Sequence, residues 1–326
     1  MWPFRKKKAV VAPAAPKPEM TFDPFLGDAD ARRLSRLLGD RDWAAARTII
    51  DDPDPRRHAF YVSIASTKSG LMEWIDDAVR SDPEPTLPLL VKGKAAIDWA
   101  WEARGSGYAD SVAEDAWKVV RQRLLLAENC LDDVLDRDPT NVEALAAKVT
   151  LASARSKGLE EIRSRFAAVI AVAPTHQNAH WSMLQALCRK WHGSSELMFE
   201  FARERAAAYP GTGLPVLIAE AHLEEWLSRK RDYEYLEQPE VGAELRAAAE
   251  QSIWHPGFPE GPRTAVIWNT FAMAFAMGDH YPEAERCFAH IGDNLATRSP
   301  WSYWGKPGRA FLKFRDRTRD KLAEGA

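Results

Sequence analysis

The 326-residue sequence is poor in cysteine and has no long apolar run. Its three cysteines, Cys130, Cys188 and Cys287, lie far apart, and they form neither an even disulfide framework nor a metal-ligand spacing. We therefore expect buried free thiols and a cytoplasmic protein. Because no stretch of about 18 apolar residues occurs, the sequence predicts no membrane-spanning helix.

Clustered positive charge is scarce outside the N-terminus. The net charge of the chain is −3, but residues 1–20 carry a net charge of +4, so the remainder carries −7. Proteins that bind nucleic acids generally neutralise phosphates with clustered Lys and Arg. The acidic body therefore argues against nucleic acid as a partner.

Residues 1–25 are predicted to form a disordered, basic and proline-rich tail. Four prolines in the first 18 residues oppose helix formation, and the basic cluster lacks the apolar stretch of a secretory signal. Trp2 and Phe4 beside four basic residues support a second interpretation, in which residues 1–8 touch an anionic membrane surface. Since so short a patch binds weakly, a solvated tail is the preferred interpretation.

From residue 26 onward, amphipathic segments of helical length alternate with short breaks. Asp28 and Asp42 precede the first two segments and suit the N-cap position, whereas Gly39 ends the first segment. Strand patterns are lacking. The longer predicted helices run from Leu89 to Arg104, from Val112 to Leu135 and from Ala310 to Leu322. The sequence therefore predicts a single all-α domain over residues 26–326.

The helical segments recur with a regular period in the middle of the chain. Pro139, Pro174 and Pro210 are 35 and 36 residues apart, and each ends one predicted helix and precedes the next. Gly158 and Gly193 lie at the turn within each unit. A period near 34 residues with proline at the end of the unit is typical of tetratricopeptide-type helical hairpins.

Residues 263–292 strengthen this interpretation. Large Trp268 and Phe288 are predicted to fill the space between two helices, and small Ala272 and Ala284 allow the helices to approach closely. This segment resembles a tetratricopeptide unit, and the clearest repeats are residues 139–210 and 263–292.

This resemblance implies a right-handed superhelical stack of antiparallel helix hairpins, with about seven hairpins and a C-terminal capping helix. It further implies a non-catalytic scaffold that binds a protein or peptide in its concave groove. A broader similarity, which includes KWHGSSELMFEFAR and SPWSYWG, links most of the chain beyond residue 25 to an uncharacterised bacterial family of tetratricopeptide-like proteins. That similarity implies a fold and no activity.

The candidate partner-binding residues follow from the expected groove. Asn178, Trp181, Gln185 and Arg189 are spaced to share one stripe of a helix that would line the groove, and Trp191 follows them. An aromatic anchor, amides and a guanidinium suit an extended peptide or its carboxylate. A second, similar stripe contains Lys94 and Trp101.

The alternative function is an enzyme or small-molecule binder, with its site inside the curve near Trp181, Trp191, His192 and Glu225. No catalytic motif supports it. His176 and His180 have metal-ligand spacing but lack a third ligand at a usual interval, and Ser194 and Ser195 are better explained by helix capping. We therefore assign no catalytic residue, metal or cofactor from the sequence.

Overall fold

The computed structural model describes residues 20–104, 113–191, 193–261 and 263–325. Within these ranges the chain forms α-helices, short 3-10 turns and connecting segments, which confirms the predicted all-α class. The first eight helices are α1 (Ala29–Gly39), α2 (Trp43–Ile50), α3 (Pro55–Ser66), α4 (Ile75–Ser81), α5 (Thr86–Arg104), α6 (Glu114–Arg137), α7 (Val142–Ala154) and α8 (Leu159–Val172). The next eight are α9 (Gln177–Leu187), α10 (Ser195–Ala208), α11 (Val216–Ser228), α12 (Tyr233–Leu236), α13 (Pro239–Glu250), α14 (Thr264–Met277), α15 (Tyr281–Ile291) and α16 (Pro307–Glu324).

Side-chain caps determine where several helices begin. Asp28, Asp42 and Ser194 each accept a hydrogen bond from the backbone N–H three residues later, at 2.8, 3.0 and 3.3 Å respectively. Such bonds satisfy backbone donors that have no partner inside the helix. The three predicted N-caps are therefore confirmed, and Ser194 has a structural role at the start of α10.

The helices pack with their neighbours in sequence and also, in a second set of contacts, with a helix two or three positions further along the chain. Contacts join α1 to α2, α5 to α6, α7 to α8, α9 to α10 and α14 to α15. A second set joins α3 to α5, α5 to α7, α7 to α9, α9 to α11 and α11 to α14. This second set places the first helices of successive pairs side by side.

Two hydrophobic clusters form the interior, and they meet on α7. Ala144, Ala147 and Leu151 belong to the N-terminal cluster, whereas Val149 and Ala152 belong to the C-terminal one. A helix that is apolar on several faces must be covered on each of them. In this way α7 joins the two halves of the interior.

The pairing of α5 with α6 depends on the absence of a side chain at Gly93. A Cβ atom at this position would lie 3.0 Å from Leu131 Cγ and 3.2 Å from Cys130 Cβ. A side chain at this position would therefore require Leu131 and Cys130 to move by a few tenths of an ångström.

The two ends of the described chain lie together. Met20 and Phe22 pack against the C-terminal cluster, and the carbonyl oxygen of Met20 lies against Gly308 at the start of α16. Phe25 and Leu26 pack against the N-terminal cluster. Residues 20–26 therefore bridge the two clusters, while residues 1–19, which include most of the predicted tail, lie outside the described residues.

Candidate functional site

A pocket of about 650 Å³ lies where several helices begin. The helices α3, α7, α9 and α14 start at its wall, and the segment 212–213 before α11 also contributes. The remaining lining residues lie in segments 52–59, 138–143, 172–178, 259–261 and 263–267. Pockets of this size accommodate small organic ligands or a few residues of a peptide.

The starts of α7 and α9 are fixed by side chains in this wall. Asn141 Oδ1 accepts a hydrogen bond from Ala144 N at 3.1 Å, and His176 Nδ1 accepts one from Ala179 N at 3.2 Å. Since Nδ1 of His176 is an acceptor, the proton of the neutral ring is on Nε2. His176 therefore presents an N–H group to its neighbour in the pocket wall.

That neighbour is Glu143, a buried carboxylate with two partners. His176 Nε2 lies 2.9 Å from Glu143 Oε1, and Lys94 Nζ forms an ion pair with Glu143 Oε2. Burial opposes ionisation of Glu143, but Lys94 and His176 outweigh it and hold its pKa well below the ordinary value. The pocket wall thus contains a carboxylate whose charge is already compensated.

Arg263 lies in the same wall, immediately before α14, and its charge has no such partner. It forms no hydrogen bond and no ion pair with any residue that the structure describes. Burial lowers the pKa of its guanidinium, and the charge of Glu143 offsets this only in part. The side chain is enclosed by protein but retains partial exposure toward the pocket.

Other charged groups around the pocket are paired or exposed. Asp52 accepts a hydrogen bond from Arg57 Nε at 2.9 Å, and Asp138 accepts bonds from the backbone and hydroxyl of Thr140. Arg56 is exposed and pairs with Asp54. Glu260 is exposed, so water screens its charge. Arg263 is therefore the enclosed cation of the pocket without a counter-charge in contact.

The predicted stripe on α9 is divided among different surroundings. Asn178 lines the pocket, whereas Trp181 is partly buried against the C-terminal cluster. Gln185 Nε2 donates a hydrogen bond to Glu224 Oε1 at 2.9 Å. The helix ends at Leu187, so Arg189 lies beyond it and is exposed. The structure therefore does not place these four residues on one helical stripe.

The other predicted partner-binding residues are also separated. Lys94 reaches the pocket wall through Glu143, and Trp101 packs with Arg104, whose guanidinium lies 5.5 Å from its ring centroid. Trp191 follows α9 and is 43% exposed. Asn178 and Lys94 are thus at or beside the pocket, whereas Trp101 and Trp191 do not line it.

In the region of the alternative site, the polar side chains are hydrogen-bonded to one another. Glu225 accepts hydrogen bonds from Ser195 Oγ, from Ser228 Oγ and from Arg229 Nε at 2.8 Å. His192 lies outside the described residues. These contacts tie α11 to the start of α10.

A second enclosed polar cluster lies between α9, α11 and α14. Glu224 accepts hydrogen bonds from Lys190, at 2.8 Å, and from the hydroxyl of Tyr303, at 3.0 Å. Glu220, one turn earlier on α11, lies 3.0 Å from Thr270 Oγ1. The pKa of Glu220 is raised to about 7, chiefly by burial and also by the nearby charge of Glu224, although the hydrogen bond from Thr270 lowers it.

The cysteines and His180 could act as nucleophiles or metal ligands, but their surroundings disfavour these roles. Burial raises the pKa of each cysteine thiol, for Cys188 to about 12, so the thiolate form is disfavoured. His180 packs against Phe166 and Phe201, and burial lowers its pKa to about 4. Among the described residues, no group of three or more His, Cys, Asp or Glu side chains could hold a metal ion.

Sequence reasoning did not identify Glu143 or Arg263. The pocket wall joins segments that are distant in sequence, and Glu143 has no local signal that distinguishes it from a solvated acid at a helix start. Arg263 did have a signal, because a cation stands at the N-cap of α14 where Ser, Thr, Asp or Asn is preferred.

Comparisons with known proteins give no further indication of function. None of the helices within the described residues is both long and apolar enough to cross a membrane. No protein-family model matches the chain, and no curated protein sequence is similar to it.

Proposed function

We propose that the chain is a non-catalytic binding protein that holds a short segment of a protein partner in the pocket at the starts of α3, α7, α9 and α14. The observation that carries this proposal is the pocket itself, whose volume of about 650 Å³ is large enough for several residues. Its lining combines apolar Val172 and Ile267 with backbone and amide groups, which suits an extended peptide.

The helix contacts support a tetratricopeptide-like arrangement behind this function. Many consecutive helices pack in pairs, and a continuous row of contacts joins α3, α5, α7, α9, α11 and α14. About seven hairpins followed by α16 as the capping helix would account for this order, with α11 paired with α13 beyond the short α12. Repeat stacks of this kind bind partners on the surface that their row of inner helices creates.

Binding is favoured over catalysis by the state of the pocket side chains. Both ring nitrogens of His176 are engaged, one by the start of α9 and the other by Glu143. Glu143 in turn is held by Lys94. A general base must be free to accept a proton, whereas these groups form a fixed wall.

A second candidate is a small-molecule carrier. The enclosed and unpaired Arg263 favours it, because small-molecule pockets place a few polar groups at fixed points in a largely apolar wall. The same pocket serves both candidates, so one set of variants tests them together.

Val172 and Leu125 provide a matched pair of variants for this test. Both are aliphatic residues on helices, with exposures of 44% and 50%, but Val172 lines the pocket and Leu125 does not. A photo-crosslinking amino acid at each position would capture partners in cells. The partner captured at position 172 would then be purified and its affinity measured by calorimetry.

We expect Val172→Trp to fill the pocket and weaken binding by about tenfold or more, with Leu125→Trp unchanged. Asn178→Ala should weaken binding modestly, and Arg189→Ala should not, because Arg189 is outside the pocket. Equal affinity of the wild type and both tryptophan variants would show that the pocket is not the binding site.

A further inference from the structure

Arg263 at this position lowers the stability of the folded chain. A cation at the N-cap of α14 faces the positive end of the helix dipole, and no side chain caps that helix. The guanidinium is also enclosed, which is unfavourable for a charge without a hydrogen-bonded partner. A fold selected for stability alone would favour Ser, Thr, Asp or Asn at this point.

The groups around the guanidinium of Arg263 indicate which kind of partner it would bind. Glu143 is already compensated by Lys94 and His176, so it is not available as a full counter-charge for Arg263. The start of α14, where Thr264 lines the pocket, adds the positive end of a helix dipole to the same wall. Both the guanidinium and the helix start therefore attract an anion.

We propose that Arg263 and the first turn of α14 bind a carboxylate group of the ligand, a conclusion that rests on the proposed use of this pocket for binding. The planar fork of an arginine matches a carboxylate with two parallel hydrogen bonds. A single enclosed cation balances one negative charge. A doubly charged phosphate would carry one more negative charge than this cation balances, and the carboxylate of Asp138 lies in the same wall.

The ligand class is therefore a monoanionic carboxylate. Two sources share this chemistry, namely the C-terminus or acidic side chain of a peptide and a free organic acid. They differ in the rest of the molecule, so the same site can be tested with simple probes before the natural ligand is known.

The test is a titration of the ¹⁵N-labelled full chain followed by NMR at the Arg263 Nε–Hε cross-peak, assigned with Arg263→Lys. The probes are acetate, acetamide as its neutral analogue, and inorganic phosphate, each at constant ionic strength set with chloride. We expect saturable shifts with acetate, none with acetamide, and weaker binding of phosphate than of acetate. Linear shifts with acetate, or tighter binding of phosphate, would overturn the proposal.

Variants separate Arg263 from general charge effects. Arg263→Gln should abolish the saturable acetate response of the amides at the start of α14, and Arg263→Lys should weaken it several-fold while the charge is retained. Arg121→Gln, which removes an exposed arginine that is paired with Glu114 and lies outside the pocket, should leave it intact. If Arg263→Gln does not fold, Arg263→Lys decides, and an unchanged acetate affinity in that variant would overturn the carboxylate fork.

A final comparison separates the two sources and the two proposals. A pool of acetylated tetrapeptides with free C-termini should bind more tightly than the same pool with amidated C-termini, and a peptide source predicts that it also exceeds acetate. If Val172→Trp abolishes partner binding but Arg263→Gln does not alter it, the proposed function stands and the carboxylate site is wrong. If acetate binds saturably at Arg263 but Val172→Trp does not change the affinity for the partner, the carboxylate site stands and the proposed function is wrong.

Discussion

The enclosed carboxyl of Glu220 predicts a pH-dependent gain in stability when it is replaced by glutamine. Its pKa is raised from 4.5 to about 7. Below the lower value the carboxyl is protonated in both the folded and the unfolded chain, and it has no net effect. Between the two values the unfolded chain releases a proton that the folded chain retains, so the free energy of unfolding falls as pH rises.

The expected magnitude follows from that interval. At about 1.4 kcal/mol per pH unit, the rise from 4.5 to about 7 lowers the free energy of unfolding by about 3 kcal/mol at pH values above 7. Glu220→Gln removes this loss. Thr270 Oγ1 lies 3.0 Å from both Glu220 Oε1 and Val266 O, so its single proton can go to Val266 while the new amide donates to the hydroxyl.

Urea unfolding at about pH 5 and about pH 8.5 measures this effect. Glu220→Gln should be nearly neutral at the lower pH and stabilising by about 2–3 kcal/mol at the higher pH. An equal effect at both pH values, or destabilisation at the higher one, would refute the reasoning.

Glu225 on the same helix supplies a control with the opposite sign. Burial opposes its ionisation, but hydrogen bonds from Ser195 and Arg229 prevail, and its pKa is lowered. Its contribution to stability is present above the unfolded pKa and is lost only as the pH falls through the folded one. Glu225→Gln should therefore destabilise the fold at both pH values of the experiment.

Three further predictions concern stability measured by urea unfolding. Lys94→Met should cost about 2–4 kcal/mol, because it leaves the buried Glu143 with an incompletely compensated charge. Gly242→Ala should cost about 1–3 kcal/mol, since its Cβ would overlap the ring of His280. Arg263→Met should stabilise the fold by about 0.5–1 kcal/mol, because it removes an enclosed cation from a helix N-cap.

Each of these predictions has an internal check. Addition of Glu143→Gln to Lys94→Met should recover part of the loss, and no recovery would show that charge compensation is not the cause. Gly261 has open space around it, so Gly261→Ala should be nearly neutral. A destabilised Arg263→Met would show that the guanidinium contributes to the fold.

The sequence predicted the helices well where the signals are local. Asp28 and Asp42 cap the helices that they were expected to cap, because a capping bond involves only the next few residues. The longest helix was predicted from Val112 to Leu135 and extends from Glu114 to Arg137. Such small differences arise because helix ends depend on weak terminal hydrogen bonds.

The end of α9 was not predictable in the same way. The apolar period continues to Trp191, but the helix ends at Leu187, where the chain folds back and Gly193 packs against the Leu187 carbonyl. A side chain at position 193 would overlap that carbonyl. This return of the chain moves Arg189 off the stripe that periodicity had assigned to it.

The candidate pocket could not be predicted from the helical periodicity, for a different reason. Glu143 and His176 are 33 residues apart, and Arg263 is far from both in sequence. Their meeting depends on how α7, α9 and α14 are ordered in space. A single sequence supplies the helices and their caps, whereas this order is a property of the packed interior.

The composition of the pocket wall has a consequence for how the chain folds and responds to ligand. Segment 52–59 follows α2 near the N-terminus, and segment 263–267 belongs to the last third of the chain, yet both line the same pocket. Closing so long a loop carries an entropic cost, so the pocket is complete only after both halves of the interior have formed. A ligand that touches both segments acts as a removable cross-link, and its binding should slow global unfolding and not merely protect the residues that it contacts.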